Sequence, residues 1–278
     1  MPFWKDPPPT HIFELSEAGI AHAQAAQIEF FPFPQPALKA TPSEDNLVRV
    51  DTAAATLARL VPQNGGKKRR HAAVLLPDAS ARVTVLDFDS FPDSAAEQLS
   101  LVKFRVKKTI PFDIESAAVK YYRQPGTNRK GKIEVVAVTV ALEVLARYEA
   151  LFRNAGFHPG DITVSALSAL SLYRDAEPAV IAKLADNTLT VMVVAGGKLK
   201  LFRCLTLEPP SEDEIRAVLQ PTLAYAEDEL GAPVKRIIEC GPAGVWPSGV
   251  NAEPLQSRFG TPNALNAGLY GYMEASSS

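Results

Sequence analysis

The sequence predicts an α/β fold of two lobes, with a smaller α/β unit inserted into the first lobe. Each half of the chain opens with a predicted hairpin, at 12–30 and at 188–205, and continues with a helix and a buried strand. The segment 82–156 has the pattern strand, helix, strand, strand, helix, which is enough for a subdomain of its own. The length of 278 residues also exceeds what one small hydrophobic core requires.

The composition is that of a globular protein and disfavours several function classes. The chain is 46% hydrophobic and 22% charged, and its formal net charge of -2 gives no reason to expect a nucleic-acid partner. No run is long and apolar enough to cross a bilayer, and the N-terminal MPFWKDPPP lacks the pattern of a signal peptide. We therefore expect a cytoplasmic protein that reaches the membrane only through partners. Cys204 and Cys240 have no metal-ligand spacing and are predicted to be free thiols.

The first lobe is predicted to begin with two strands joined by a turn at 16–19, followed by a helix and a buried strand. Asp51 precedes the apolar positions of the helix and is the predicted N-cap. A basic cluster at 67–70 lies in the loop before the buried strand, and both a solubilising turn and a phosphate- or lipid-contacting loop remain open for it. The predicted bounds are a disordered leader at 1–10, strands at 11–15, 20–30 and 71–76, and a helix at 51–60.

The insert is organised around a basic helix that ends abruptly at Ile110-Pro111-Phe112. Pro111 has no N–H to donate and biases Ile110 away from the α region, so the helix ends there. Ser94 and Glu97 have the spacing of a capping box and start the helix. After the stop, alternating residues predict a strand with two different faces. The predicted bounds are strand 82–88, helix 94–108, strands 118–122 and 132–141, and helix 143–154.

The rest of the chain completes the first lobe and forms the second. Gly196-Gly197 predicts a tight hairpin, and Ser211 with Glu214 forms a second capping box. Pro221 is expected to kink or split the helix that follows. The predicted elements are strand 162–165, helix 166–173, strands 188–195 and 198–205, helix 211–230, strand 234–240 and helix 264–273. The domains are then 11–80 with 157–178 as the first lobe, 81–156 as the insert and 179–278 as the second lobe.

No pattern in the sequence requires an enzyme. The four histidines have no i, i+4 pair and no partner that the sequence identifies. There is no nucleophile elbow, zinc motif or acidic pair that periodicity would bring together. Small residues at 241–244 follow a strand and would let a phosphate approach the backbone, but their spacing differs from that of the known glycine-rich nucleotide motifs.

Two halves with an inserted α/β unit are the plan of the actin/Hsp70-like (ribonuclease H-like) fold, and several motifs make the resemblance specific. A basic helix runs into Lys108-Thr109-Ile110-Pro111-Phe112, and the next helix ends in AGFHP at 155–159. GKLKLFR at 197–203, IIECG at 237–241 and NAGLY at 266–270 follow in order. With these segments the chain resembles the PilM family, the actin-like cytoplasmic components of type IV pilus assembly, which are related to the cell-division protein FtsA. The resemblance spans most of residues 12–273.

The resemblance implies a nucleotide site between the lobes, and this chain departs from the family pattern there. ATP-binding members carry Asp-x-Gly in the first hairpin of each lobe, where the glycine admits the phosphates and the aspartate holds the metal. Here Glu14 and Asp186 are acidic but no glycine follows two residues on, and Gly241 is the remaining candidate. The second lobe also lacks most of the adenine-side subdomain. We therefore expect a degenerate member with no ATP turnover and no cofactor, with retained ATP and magnesium as the alternative.

The resemblance also implies a scaffold that binds a short peptide. Family members hold the N-terminal cytoplasmic tail of the inner-membrane protein PilN in a groove between the first lobe and the insert. Other pilus platform and motor components are further partners that the resemblance implies. We place this groove between the strand at 72–76 and the insert around 104–112. The predicted peptide-binding residues are Phe104, Lys108, Ile110 and Phe112, with a structural role as the alternative for the last two.

Two other functions remain open at this stage. The first is an actin-like ATPase with unusual phosphate loops, which would bind Mg-ATP. The second is the cytoplasmic domain of a type II secretion platform protein (GspL-like), which shares the fold without turnover and is normally followed by a transmembrane helix.

Overall fold

The computed structural model describes residues 9–25, 27–60, 70–208, 210–241 and 251–277. The strands are β1 (His11–Leu15), β2 (Gly19–Gln24), β3 (Gln27–Pro32), β4 (Arg70–Leu76), β5 (Arg82–Phe88), β6 (Ala117–Arg123), β7 (Ile133–Ala141), β8 (Phe157–Val164), β9 (Ala179–Ala185), β10 (Thr188–Ala195), β11 (Lys198–Thr206), β12 (Arg236–Cys240) and β13 (Asn251–Pro254). The helices are α1 (Val50–Leu60), α2 (Ala95–Val106), α3 (Leu142–Asn154), α4 (Ser165–Ala169), α5 (Glu212–Leu230) and α6 (Ala267–Ser276). None of the helices in these ranges is long and apolar enough to cross a membrane.

The strands form three sheets, and the two large ones share one layout. The first-lobe sheet has the order β3-β2-β1-β4-β8, and the second-lobe sheet has the order β11-β10-β9-β12-β13. In each, three antiparallel strands are followed by two parallel strands. The insert contributes a third sheet with the order β5-β7-β6. The predicted actin-like fold of two α/β lobes with an inserted α/β unit is therefore confirmed.

Several predicted strands differ from the observed ones. The strand predicted at 20–30 is two strands, because Ala25 takes a left-handed φ of 54° and the chain returns as the edge strand β3. No glycine or asparagine marks that turn in the sequence. The strand predicted at 162–165 begins earlier, at Phe157. β9 was not predicted, because Lys183 interrupts its apolar pattern, and β13 was missed as well.

Helix bounds show smaller corrections. Asp51 lies in the first turn of α1 instead of capping it, and Ser94 is the N-cap of α2 without a side-chain hydrogen bond, so that capping box does not form. Ser211 and Glu214 do form theirs, and α5 continues unbroken through Pro221. The helix predicted at 166–173 is α4 plus a short 3-10 turn, and the last helix begins at 267 instead of 264. The basic residues at 67–69 and the small residues at 242–244 lie outside the described residues.

The insert sheet has two apolar faces that serve different purposes. Val135 and Ala137 of β7 face α2, where they pack with Val102 and Val106 of that helix. The alternate residues of β7 face the main core, which contains residues of both lobes; they include Val136, Val138 and Val140. Because the register pairs Lys120 with Val138 and Tyr122 with Val136, β6 has the same two faces that its sequence predicted.

The four histidines lie on adjacent strands of the first-lobe sheet, and two of them form a buried pair. Nδ1 of His11 is 3.0 Å from Nε2 of His22, and both rings stack with Phe13. The sequence had identified no partner for either, because the β1–β2 register that joins them is not visible in a spacing pattern. Burial, then the nearby His11 and Arg70, lower the pKa of His22 to about 4. Burial, then Arg70, also lower the pKa of His11.

This buried pair predicts a pH-dependent stability. Because both folded-state pKa values lie below the ordinary value of about 6.5, unfolding takes up protons below that pH and stability falls as the pH drops from 6.5 towards 4. We expect the His22→Phe variant to gain stability relative to the wild type by up to about 1 kcal/mol for each pH unit below 6.5. Urea unfolding at pH 7.5 and pH 5.0 measures this difference. A difference that stays constant with pH contradicts the account, and His158→Ala, at an exposed histidine, is the control.

Candidate functional site

A buried ion pair joins the two lobes. Asp78 lies in a 3-10 turn just after β4, and Lys183 lies on β9. Nζ of Lys183 donates to Oδ2 of Asp78 at 3.0 Å, and Oγ1 of Thr190 donates to the same oxygen at 2.9 Å. Oδ1 accepts the backbone N–H of Ala166 at 2.7 Å. The two charged side chains are only 4% and 2% exposed, so each depends on the other for neutralisation.

Glu14 completes the cluster from the first lobe. Its carboxylate accepts hydrogen bonds from Oγ of Ser165 and, at 2.7 Å, from the backbone N–H of Leu269. Burial raises the pKa of Glu14, and the charge of Lys183 and the two donors oppose that rise. For Lys183, burial alone would lower the pKa, but the carboxylates of Asp78 and Glu14 outweigh it and raise the pKa. The ammonium group is thus held as a cation in the interior.

The first hairpin turns of the two lobes are bonded to each other. Asp186, in the two-residue turn between β9 and β10, accepts the backbone N–H of Glu17 at 2.8 Å. Glu17, in the turn between β1 and β2, accepts the backbone N–H of Ala40 at 2.7 Å. Burial raises the pKa of both carboxyl groups, against the effect of these donors. These are the two turns at which the resemblance placed the phosphate loops.

The space left between these turns is small. The gap beside Glu14, Asp78, Lys183 and Asp186 has a volume of about 10 Å³, which is the room that one water molecule needs. A wider open groove of about 440 Å³ lies next to it, beside Asp186 and Gly241. A Cβ on Gly241 would lie 3.0 Å from the backbone oxygen of Leu184, so this glycine permits close packing on β9. The structure therefore brings Glu14 and Asp186 to one gap and Gly241 to the neighbouring groove.

The same part of the molecule shows no arrangement for a metal ion. Within the described ranges, no group of three or more His, Cys, Asp or Glu side chains is placed to hold one. Cys204 and Cys240 are free thiols, as predicted, and burial raises the pKa of each to about 12.

A second candidate site is an apolar cleft, which we call the β6 cleft, with a volume of about 320 Å³. It runs along β6, whose outer edge pairs with no other strand of the described residues. Its walls come from the insert, from α4 and the turn after it, and from the β10–β11 hairpin. The lining residues are Lys120, Tyr121, Tyr122, Gln124, Val136, Val138, Leu167, Leu170, Gly197 and Leu199.

The β6 cleft combines an unpaired strand edge with apolar anchoring points. Tyr122 is 62% exposed at its rim, while Val138, Leu167 and Leu170 are half-buried in its walls. No acidic side chain lines it among the residues the structure describes. Such a site can accept an extended peptide, because the strand edge offers backbone partners and the walls accept alternate side chains.

The residues predicted to bind a peptide do not line this cleft. Phe104 is 66% exposed on the outer side of α2, and Lys108 is exposed in the turn that follows. Because α2 covers the opposite face of the insert sheet, both lie away from the β6 cleft. Ile110 packs under α2, and Phe112 packs against both the insert core and the main core, which is the structural role given as the alternative.

The predicted position of the groove needs a correction. The strand at 72–76 cannot form a groove wall, because β4 lies inside a five-stranded sheet and these residues are fully buried. In the β6 cleft, the residues that the first lobe contributes are Leu167 and Leu170. The sequence placed these leucines only within the helix predicted at 166–173.

Sequence reasoning also missed the Asp78–Lys183 pair. A lysine inside the apolar run AVIAKLA was the one available signal, since a charge there needs a buried partner. The partner itself is 105 positions away in the sequence and could not be identified from spacing.

The buried pair predicts a large, non-additive effect on stability. Lys183→Met should lower the free energy of unfolding by about 3–5 kcal/mol, because it leaves the charge of Asp78 without a partner in the interior. The double variant Lys183→Met/Asp78→Asn should recover most of that loss. Chemical denaturation measures both. Additive losses would contradict the account, and Lys130→Met, which removes the exposed pair with Glu229, is the matched control.

Comparisons with known proteins agree with the fold. No protein-family model and no curated protein sequence matches the chain. Among solved structures, the chain is similar to the PilM-PilN type IV pilus biogenesis complex, with a TM-score of 0.68 and 14% identity over 89% of this chain and 88% of that one. It is also similar to the cytoplasmic domain of EpsL, an inner-membrane component of the type II secretion system of Vibrio cholerae. That match has a TM-score of 0.59 and 14% identity over 96% of this chain and 94% of the other. The chain thus has the same actin-like fold as these two structures.

Proposed function

We propose that this protein is a scaffold of a type IV pilus assembly platform, docking the N-terminal cytoplasmic tail of a PilN-like inner-membrane protein. The observation that carries the proposal is the β6 cleft, in a fold similar to that of a PilM-PilN complex. The cleft lies between the first lobe and the insert, which is where the resemblance places the peptide. The protein would then associate with the inner membrane through its partner and work beside other platform and motor components.

Peptide docking in this proposal uses backbone pairing and apolar anchoring. The free edge of β6 offers N–H and C=O groups to an extended segment, which would become a fourth strand of the insert sheet. Side chains that point from this segment towards the first lobe would meet Leu167 and Leu170, with Tyr122 of the neighbouring strand beside them. The rim residue Tyr122 is a large aromatic group, the kind of side chain that dominates binding energy at interfaces.

We further propose that the scaffold works without ATP turnover. The two hairpin turns that would hold the phosphates are bonded to each other through Asp186 and Glu17. The gap beside them, about 10 Å³, has room for one water molecule and not for phosphate groups, so a nucleotide in the neighbouring groove of about 440 Å³ would lack its phosphate site. Lys183 adds a fixed internal cation there, next to Glu14 and Asp78.

The similarity to EpsL supports a second candidate in the same class. The chain could serve as the corresponding cytoplasmic scaffold of a type II secretion platform, with an equivalent docking role. Genes that neighbour the coding sequence would distinguish the two, because pilus and secretion platforms bring different membrane partners.

Peptide binding is the first expected outcome. A fluorescein-labelled peptide of the cytoplasmic N-terminus of the PilN-like protein encoded nearby should bind the wild type in an anisotropy titration. Tyr122→Ala should weaken binding about five- to thirty-fold, corresponding to about 1–2 kcal/mol for the loss of one large aromatic contact at the rim of the cleft.

Tyr225→Ala, at another exposed tyrosine, on α5, is the matched control and should bind as the wild type does. Lys108→Glu should also bind normally, since Lys108 lies outside the cleft. Absence of wild-type binding at high protein concentration, or equal effects of the two tyrosine variants, would argue against the proposal.

Nucleotide binding is the second expected outcome. Isothermal titration with Mg-ATP should show no heat of binding, because the interlobe gap is filled by the protein's own polar groups. Micromolar binding that the Asp186→Asn variant abolishes would instead support the ATPase alternative.

A further inference from the structure

The β6 cleft has a third wall, which comes from the second lobe. Gly197 and Leu199 of the β10–β11 hairpin line the cleft opposite the first-lobe leucines. We propose that the second lobe is part of the docking site, and that Gln124 is the positioning residue that holds it there. This inference rests on the proposed peptide-docking function and adds the element that completes the site.

Gln124 binds the second lobe as a backbone segment would. It follows β6 directly, and its side chain is buried. Its Nε2 donates to the carbonyl oxygen of Leu199 at 2.7 Å, and its Oε1 accepts the N–H of Leu199 at 2.8 Å. Because β11 is the edge strand of the second-lobe sheet, one side-chain amide takes the place of a neighbouring strand at this position.

A β-bulge places a second contact between the second lobe and the insert beside the hydrogen bonds of Gln124. The β10–β11 register shifts so that Val194 pairs with Leu199 and Val193 with Leu201, which leaves Lys200 as the extra residue. Its Nζ lies 2.6 and 2.8 Å from the two carboxylate oxygens of Glu134 on β7. Both side chains are nearly buried, so this ion pair also fixes the hairpin against the insert.

A segment in the cleft would therefore contact three parts of the molecule at once. The insert would supply the strand edge, α4 and the following turn would supply the leucines, and the hairpin would close the site over them. Binding would then depend on how the second lobe sits against the insert, and a bound segment would in turn hold the lobe in place.

The hairpin offers a matched pair of test variants. Gly196 and Gly197 both have left-handed φ values, 57° and 70°, and both have open space where a Cβ would lie. Asparagine tolerates this conformation better than other side chains do. Only Gly197 lines the cleft. Gly197→Asn should weaken binding of the labelled peptide at least ten-fold, while Gly196→Asn should stay within two-fold of the wild type.

A second variant tests the positioning role. Gln124→Leu removes both hydrogen bonds to Leu199 at nearly constant volume and should weaken peptide binding at least five-fold. In the wild type, added peptide should slow the hydrogen exchange of the Leu199 amide; in Gln124→Leu it should not. A residue that only stabilises the fold would change the melting temperature and leave this peptide-dependent protection in place.

The outcomes separate this inference from the proposed function. If the wild type binds and Tyr122→Ala weakens binding, while Gly197→Asn and Gln124→Leu both bind normally, the cleft has two walls and the inference is overturned. The docking function would then stand. If the wild type does not bind the peptide, the proposed function and this inference are both contradicted.

Discussion

A lysine buried between two lobes must be neutralised, and the arrangement of the interior follows from that requirement. Asp78 neutralises Lys183, and its carboxylate also accepts hydrogen bonds from Thr190 and from the N–H of Ala166. Asp78 belongs to the first lobe, whereas Lys183 and Thr190 belong to the second, so the pair fixes the lobes relative to each other. Breaking such a pair by removing one partner is far more damaging than replacing both, because an isolated charge has no solvent to stabilise it.

The small sheet of the insert is apolar on both faces, so both faces must be covered by other parts of the protein. α2 covers one face, and the main core, to which both lobes contribute, covers most of the other. The part left open beside β6 becomes a cleft with a free strand edge along it. An apolar surface next to unpaired backbone groups favours an extended partner, since such a partner satisfies both at once. This packing therefore supports the proposed docking role.

Much of the fold could be predicted from the sequence, because most of its local signals agree with the final structure; the Asp51 cap, the Ser94 capping box and the Pro221 kink do not. The Gly196-Gly197 hairpin, the Ser211 capping box and the Ile110-Pro111-Phe112 stop each act over a few residues. The site was harder, because it is made by residues far apart in the sequence. Asp78 and Lys183, or Gln124 and Leu199, meet only after three sheets have packed. The basic helix α2 was predicted to contribute to peptide binding, yet its exposed face lies away from the cleft. Burial and sheet register, which no spacing pattern reveals, decide which apolar residues line the cleft.

In the proposed docking mode, an extended segment binds along β6. Amide hydrogen exchange, measured with and without the partner peptide, tests it most directly. The account predicts slower exchange along Ala117–Arg123 when the peptide is present, because the outward-facing N–H groups of the strand become hydrogen-bonded. Protection confined to α2 and the turn after it, with β6 unchanged, would contradict the account.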